Sequence, residues 1–150
     1  MAINHDATPS RLTSKPTWLI SQASIHAHRL LTDALAGVGS RGYHYRLLAA
    51  LAEFGPASQA TLGRRTGMDR SDVVAALNEL AGRGLVKRTT DPHDSRRNIV
   101  TITPTGKAEL KRLDDILTAV QGELLKPLSP RERRTLVDLL KRVVAHNSAG

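Results

Sequence analysis

The stretch from residue 57 to residue 106 constrains the fold most, because helical and extended patterns alternate there at short intervals. Residues 57–66 are predicted to form one helix, with Ser58 as its N-cap and Gly67 as its end, since glycine adopts a positive φ without strain. Asp69 is the N-cap candidate for a second helix. The buried face of that helix is predicted from four apolar residues at helical spacing, Val73, Ala76, Leu77 and Leu80.

Two segments rich in β-branched residues follow Gly84, which closes the second helix. Residues 85–89 and 98–102 are predicted strands, and the second of them alternates apolar residues with threonine, as a half-buried strand does. The turn predicted at residues 91–97 begins with turn-forming residues and ends in two arginines. Two helices joined by a tight turn and followed by a hairpin are typical of a winged helix-turn-helix.

The part of the chain before this unit is predicted to contain an arm and two helices. Residues 1–16 are polar and show no sustained period, so we expect a flexible arm. A helix is predicted from Pro16 and Thr17 to about Leu35, with apolar residues on several sides. Such a helix should pack between its own domain and a second copy of the chain. A further helix is predicted over residues 41–54.

The part after residue 103 is predicted to form two more helices. Thr103 and Pro104 provide an N-cap and a proline at the first helical position, and an apolar face continues to about Leu124. Residues 129–132, Ser-Pro-Arg-Glu, have the pattern of a capping box and open a last helix that should end near Val144. Its buried side is predicted to comprise Leu136, Leu139, Leu140 and Val143.

The predicted fold class is therefore mainly α with a small β-hairpin wing, an α+β arrangement. Residues 41–106 are assigned to a winged helix-turn-helix. Residues 17–36 and 107–146 are assigned to a helical dimerisation region, because the compact winged unit does not need these apolar helices. The alternative is a monomer whose long helices wrap around the wing.

The segment from Leu77 to Gly106 resembles the signature of the MarR family of transcriptional regulators. Members carry a Gly-Leu-Val, an Asp-Pro-x-Asp wing with arginines and a Leu-Thr-x-x-Gly close. The matching positions are Gly84, Leu85, Val86, Asp91, Pro92, Asp94, Arg96, Thr103, Pro104, Thr105 and Gly106, and Ser95 and Ile102 depart from the pattern. The resemblance extends more loosely over residues 18–144. It implies a homodimer that binds double-stranded DNA, with interlocked N- and C-terminal helices.

The charge of the chain agrees with a nucleic-acid partner. Lysine and arginine number 22 against 14 acidic residues, which gives a net charge of +8. Between Arg83 and Arg112 the sequence has eight basic and three acidic residues. A basic strip over a wing is the electrostatic footprint expected for DNA, and the alternative is the solvated surface of a basic protein.

The outer face of the second helix supplies the predicted base contacts. Arg70 is suited to a bidentate contact with guanine or to a phosphate, and Val74 or Ala75 to a thymine methyl group. Asp72 would repel phosphate and could accept only from a cytosine amino group. The residues predicted to contact DNA are Ser58, Gln59, Arg64, Arg70, Ser71, Asp72, Val74, Ala75, Arg88, Arg96 and Arg97.

The wing is predicted to reach the adjacent minor groove through Arg96 and Arg97. A narrow A·T-rich minor groove concentrates negative potential and attracts an inserted arginine. Asp94 is anionic and therefore unsuited to touch DNA. We expect it to accept a hydrogen bond from Arg96 and hold the shape of the wing, as the resemblance also implies.

A regulatory site is predicted between the flanking helices and the winged unit. MarR relatives commonly bind small aromatic acids in such a cleft, and three of the four aromatic residues of this chain lie in the helices that would line it. A small aromatic or phenolic acid is the predicted effector, with candidate contacts Trp18, His26, His28, Tyr43, His44 and Arg46. His44 shares an apolar stripe with Leu47 and Leu51, so a satisfied core histidine is the alternative for that position.

Several classes of function find no support in the sequence. The chain has no cysteine, which excludes disulfides and thiolate chemistry. His26 and His28 point about 200° apart on a helix and cannot share a metal ion, so neither metal nor cofactor is predicted. No apolar run approaches the roughly 18 residues of a membrane span and no signal peptide is apparent, so the chain is predicted to be soluble and cytoplasmic.

The expected function is a sequence-specific DNA-binding regulator, a ligand-responsive repressor that binds a pseudo-palindromic operator as a homodimer. Two alternatives stay open. One is a winged-helix module that contacts an acidic protein without specific DNA readout. The other is a small enzyme in the helix cleft, although no nucleophile elbow, phosphate loop or HExxH motif is present, so an enzyme is not expected.

Overall fold

The computed structural model describes residues 7–149, and in these residues seven helices accompany one small antiparallel sheet. The elements in chain order are α1 (Ser10–Thr13), α2 (Pro16–Ala36), α3 (Gly42–Phe54), β1 (Ala57–Ser58), α4 (Gln59–Thr66), α5 (Arg70–Gly82), β2 (Val86–Asp91), β3 (Asp94–Ile102), α6 (Pro104–Leu124) and α7 (Pro130–Ser148). The predicted fold class, mainly helical with a β wing, is confirmed.

The hydrophobic core lies where α3, α4, α5 and the sheet meet the middle of α6. All four apolar residues predicted for the inner face of α5 are buried. The large side chains that are fully buried are Leu35, Leu47, Leu48, Leu51, Leu62, Val73, Leu77, Leu80, Val100 and Leu113. Because α3 and α5 both pack into this core, the outer face of α5 is held at a fixed orientation to the wing.

The sheet has the strand order β1-β3-β2, and its first strand corrects the sequence-based prediction. Ala57 pairs with Val100 and Ser58 pairs with Ile99, so these two residues are extended and α4 begins only at Gln59. The helix predicted from residue 57 is therefore two residues too long. The pairing closes the open edge of β3 and joins the wing to the base of α4.

The predicted helix caps are confirmed at four positions. The Oγ of Ser58 accepts from the amide of Thr61 at 3.3 Å, and Gly67 ends α4 at a φ of 67°. Thr103 caps α6, and Ser129 and Glu132 form the predicted capping box of α7. Asp69 occupies the N-cap position of α5, but its side chain makes no capping hydrogen bond.

The terminal regions differ from the prediction in three ways. Residues 10–13 of the predicted arm are helical, and residues 1–6 of that arm lie outside the described residues. The last helix continues to Ser148 instead of ending near Val144. The predicted buried side of α7 is not buried in a single chain, since Leu139 and Val143 are 49% and 48% exposed.

Candidate nucleic-acid interface and helix cleft

A groove between α4, the start of α5 and the wing brings together six of the residues predicted to contact DNA. They are Ser58, Gln59, Arg64, Arg70, Arg96 and Arg97. Asn98 of β3 and Met68 also line the groove. Four guanidinium groups from three separate elements thus converge on one surface, which is the arrangement that a polyanion requires.

Ser58 lines this groove, but its side chain is not available for a phosphate contact. The residue is only 6% exposed, and its hydroxyl accepts from the amide of Thr61 while donating to the Thr61 hydroxyl at 3.1 Å. Arg64 donates to the same Thr61 hydroxyl at 3.0 Å. Ser58 therefore serves the local fold, and Gln59 and Arg64 are the more accessible polar groups at this end of α4.

The outer face of α5 forms a shallow concave surface. Asp69, Arg70, Ser71, Val74, Ala75 and Asn78 line it. Asp72 does not, because it lies about 200° around the helix from Arg70 and is half-buried. The expectation that Asp72 belongs to this surface is wrong, whereas the other four predicted residues of α5 share it.

Asn78 is a member of this surface that was not among the predicted DNA contacts. Arg88 of β2 donates from Nη1 to the side-chain oxygen of Asn78 at 2.8 Å. Because a guanidinium can only donate, the accepting atom must be the amide oxygen and the NH₂ group of Asn78 is left to face outwards. The predicted DNA contact Arg88 is thus tied to the outer face of α5 and is absent from the groove lining.

The wing is longer and tighter than predicted. Only Pro92 and His93 stand between β2 and β3, so Arg96 and Arg97 lie on strand β3 and the prediction of a loop at that point is wrong. Thr90 pairs with Asn98 and Asp91 pairs with Asp94, which leaves residues 95–97 without partners in β2. This bulge turns the two arginines out of the ladder.

Asp94 makes the predicted contact with Arg96. One carboxylate oxygen accepts from the backbone amide of Arg96 at 3.0 Å and from its Nε at 3.1 Å. The hydrogen bond from the Arg96 side chain lowers the pKa of Asp94, so the pair is intact at neutral pH and is lost only as the pH falls through that lowered pKa. Arg96 itself is 88% exposed and free to meet a partner.

A cleft of about 630 Å³ lies between α2, the start of α3 and α6. Of the predicted effector contacts, His28, Tyr43 and Arg46 line it, and Trp18, His26 and His44 do not. The other lining residues are Leu31, Thr32, Leu35, Ala36, Ser40, Arg41, Gly42, Tyr45 and Leu117. Arg46 sits over the Tyr43 ring at 5.7 Å from its centroid, which places a cation beside an aromatic wall.

Two polar groups of α3, one in the cleft and one in the core, pair with distant elements. The Tyr45 hydroxyl donates to Asp114 of α6 at 2.6 Å, and this hydrogen bond raises the pKa of Tyr45 to about 12. His44 is buried and bonded on both ring nitrogens, so the core-histidine alternative describes it. Burial lowers the pKa of His44 and keeps the ring neutral, although Glu79 acts in the opposite direction.

Residues 7–149 offer neither a membrane-spanning helix nor a cluster of metal ligands. No helix in that range is long and apolar enough to cross a lipid bilayer. Within the same range, no three histidine or acidic side chains come together as ligands of one metal ion would.

Known proteins resemble this chain in both sequence and fold. The MarR family model matches residues 36–97. The putative transcriptional regulatory protein for the hcr operon of Thauera aromatica is 35% identical over 104 residues, which cover 69% of this chain and 63% of that protein. The HTH-type transcriptional repressor NicR of Pseudomonas putida is 26% identical over 139 residues, which cover 93% of this chain and 88% of NicR.

The structural comparison extends the match along almost the whole chain. The crystal structure of a probable transcriptional regulator from Pseudomonas aeruginosa has a TM-score of 0.79 and 34% identity, covering 89% of this chain and 99% of that one. The fold and the matches define the class, a winged helix-turn-helix regulator of transcription. The chain belongs to the MarR family.

Proposed function

We propose that this chain is a homodimeric repressor that binds a pseudo-palindromic operator and leaves it when a small aromatic acid enters the cleft. The convergence of Arg64, Arg70, Arg96 and Arg97 on one groove carries the proposal. The N-terminal end of α5 fits the major groove, where Arg70 faces base edges and Val74 faces a thymine methyl group. Arg96 and Arg97, turned out of the ladder, are placed for the flanking minor groove.

Dimerisation is supported by apolar surface that a single chain leaves uncovered. Large apolar side chains of α2 and α7 are two-fifths exposed or more, namely Leu19, Ile20, Ile25, Val137, Leu139, Leu140, Val143 and Val144. Two chains joined through these helices would present two copies of α5 to successive half-sites, which adds the binding energy of both. Repression is proposed because the relative NicR carries that description.

The ligand part of the proposal depends on the chemistry of the cleft. Its volume of about 630 Å³ lies within the range of small-molecule pockets, and apolar residues of α2 provide walls for a ring. His28, Arg41 and Arg46 supply donors, two of them cationic, while Tyr43 and Tyr45 supply aromatic faces. An aromatic ring that bears a carboxylate fits both the apolar walls and the cationic donors of the cleft.

The DNA-binding part is tested by the salt dependence of binding to duplexes from the DNA flanking the gene for this chain. Four arginines per chain bring eight cationic groups per dimer against the duplex, and release of counterions by all eight should give a slope of log K against log salt of about −7. A scrambled duplex should bind at least a thousandfold more weakly than the specific one. Equal affinity for both would favour the protein-contact module, and no binding at low salt would refute the proposal.

The ligand part is tested by calorimetric titration with 4-hydroxybenzoate, using phenol as the uncharged counterpart. We expect heat from the acid and none from phenol, because the carboxylate supplies the group that Arg41 and Arg46 bind. Absence of heat from hydroxybenzoates and urate, with operator binding intact, would remove this part alone.

Replacement of Asp94 by alanine should weaken operator binding by about threefold to tenfold, although it removes a negative charge from the interface. The loss is expected because Arg96 must then be ordered when DNA binds. Titration of the specific duplex measures it, and Asp115→Ala, an exposed aspartate of α6, is the matched control. Tighter binding of Asp94→Ala than of the control would contradict the role of Asp94.

A further inference from the structure

Arg41 connects the cleft to α5. The residue precedes α3 and lines the cleft, and its guanidinium makes an ion pair with the carboxylate of Glu79 on α5. Both side chains are about half exposed, at 55% and 45%, so solvent and small solutes can reach the pair. One residue of the cleft thus holds the helix whose outer face carries Arg70 and Asn78.

The Glu79 carboxylate has a second partner that a solute cannot reach. Its other oxygen lies 2.8 Å from Nε2 of His44, which is only 3% exposed. The amide of Arg41 donates to Nδ1 of His44 at 3.2 Å, so Nδ1 is the acceptor and Nε2 carries the proton given to Glu79. Of the two attachments of Glu79, the one to His44 is fixed and the one to Arg41 is open to competition.

We infer that Arg41 is the positioning residue through which the cleft acts on α5, because an anion in the cleft competes with Glu79 for its guanidinium. The inference depends on the proposed function and specifies how its two sites communicate. A ligand carboxylate offers Arg41 the same paired oxygens as Glu79 does. Once Arg41 turns to the ligand, only the neutral His44 holds Glu79, and the C-terminal half of α5 is less firmly attached to α3.

Linkage makes this competition reciprocal. An anion in the cleft weakens the ion pair between Arg41 and Glu79. If DNA binds only when that ion pair holds α5 in place, then bound DNA must weaken the binding of the anion by the same factor. Arg46 differs from Arg41 in this respect, since its guanidinium packs over the Tyr43 ring in the same cleft. The chain therefore contains a matched control, a second arginine of the cleft that makes no ion pair with α5.

The first test uses hydrogen exchange of the α5 amides in the full-length chain without ligand or DNA. Arg41→Gln should speed exchange there by about twofold to fivefold, the range for an ion pair of this exposure, while Arg46→Gln should not. Arg41→Lys keeps the charge and should stay close to the wild type. Unchanged α5 exchange in Arg41→Gln, or an equal change in Arg46→Gln, would overturn the inference.

The second test uses Glu79→Gln, which still accepts a hydrogen bond from His44 but cannot pair with the charge of Arg41. Freed from Glu79, Arg41 should bind 4-hydroxybenzoate about twofold to fivefold more tightly than in the wild type, and operator affinity should fall by a similar factor. Arg41→Gln should lose affinity for both. Equal 4-hydroxybenzoate binding by Glu79→Gln and the wild type, including no binding by either, would overturn the competition.

The two tests separate this inference from the proposed function. A wild-type chain that ignores the duplex, while Arg41→Gln still speeds α5 exchange, would refute the proposed function and support the attachment of α5 through Arg41. A chain that binds the operator normally, with α5 exchange insensitive to Arg41, would refute the inference and support the proposed function.

Discussion

Replacement of Gly106 by alanine should destabilise the fold by about 3 kcal/mol, because α6 begins against the backbone of the winged unit. A Cβ at position 106 would lie 2.0 Å from the carbonyl oxygen of Leu85 and 2.8 Å from Cγ1 of Ile102. The first of these neighbours is backbone, which cannot rotate away as a side chain can. The chain must therefore shift the start of α6 to accept a methyl group.

Such a shift would break the hydrogen bonds that join α6 to the winged unit. The amide of Thr103 donates to the Leu85 oxygen at 3.1 Å, and the Thr103 hydroxyl accepts from the Gly106 amide at 3.0 Å while donating to the Gly84 oxygen at 2.7 Å. Each of these bonds stabilises the fold by about 1 kcal/mol. Overpacking at position 106 and the partial loss of these hydrogen bonds both lower the free energy of unfolding.

Thermal unfolding followed by circular dichroism measures the effect of Gly106→Ala. We expect the midpoint to fall by roughly 6–12 °C for a chain of this size. The matched control is Gly122→Ala, in the same helix, where a Cβ meets nothing within 4 Å. That substitution should leave the midpoint unchanged or raise it, since alanine favours a helix by about 1 kcal/mol over glycine. Equal midpoints for the two variants would contradict the packing argument.

The sequence predicted best those features that depend on near neighbours. Ser58, Thr103 and Ser129 cap helices as expected, because a cap needs only its own side chain and an amide three residues later. The inner face of α5 was likewise readable from spacing alone. The contact of Asp94 with Arg96 joins residues two apart, and the resemblance to relatives pointed to it.

Contacts between distant segments could not be predicted in this way. Ala57 pairs with Val100, and no local pattern distinguishes a two-residue strand from the start of a helix. The bulge that carries Arg97 could not be predicted either. Strands of unequal length can be joined by the same short turn, so the sequence between them does not reveal the unpaired residues. Arg96 and Arg97 were thus predicted on a loop, whereas they lie on β3. Their grouping with the other predicted DNA contacts agrees with the groove that they line.

The cleft shows the same limit. His44 and Arg46 were proposed together from their closeness in sequence, yet α3 turns the first into the core and the second into the cleft. The ion pair of Arg41 with Glu79 joins residues 38 apart, and only the packing of α3 against α5 reveals it. Tyr45 was counted among the aromatic residues of the cleft helices, but its hydrogen bond to Asp114 of α6 could not be predicted for the same reason.

The second large effect is expected from the apolar face of α7. This helix has 19 residues, and none of them is buried in a single chain. Leu136, Leu139, Leu140 and Val143 form one stripe, and the last three are at least 40% exposed. Most of the stability of a helix in a protein comes from the packing of its amphipathic face, so a stable α7 requires a neighbour that covers the stripe. The proposed neighbour is a second copy of the chain.

Leu140→Glu should therefore convert the dimer into a monomer at micromolar concentration. In a symmetric dimer the substitution places two carboxylates in the interface, and each removes about 1.5–3 kcal/mol of apolar burial before the cost of desolvating the charge is added. Sedimentation equilibrium measures the change. Operator affinity should fall by a hundredfold or more, because a single α5 loses the advantage of a linked second half-site.

Ala145→Glu provides the control for Leu140→Glu, since it adds the same charge about 140° around α7, on the face that carries Lys141 and Arg142. It should leave both the dimer and operator affinity close to the wild type. Because α7 contributes no buried residue to its own chain, the winged unit of Leu140→Glu should still fold and keep its single-site contacts with DNA. A Leu140→Glu chain that remains dimeric, or a wild-type chain that is monomeric at micromolar concentration, would contradict dimerisation through this face.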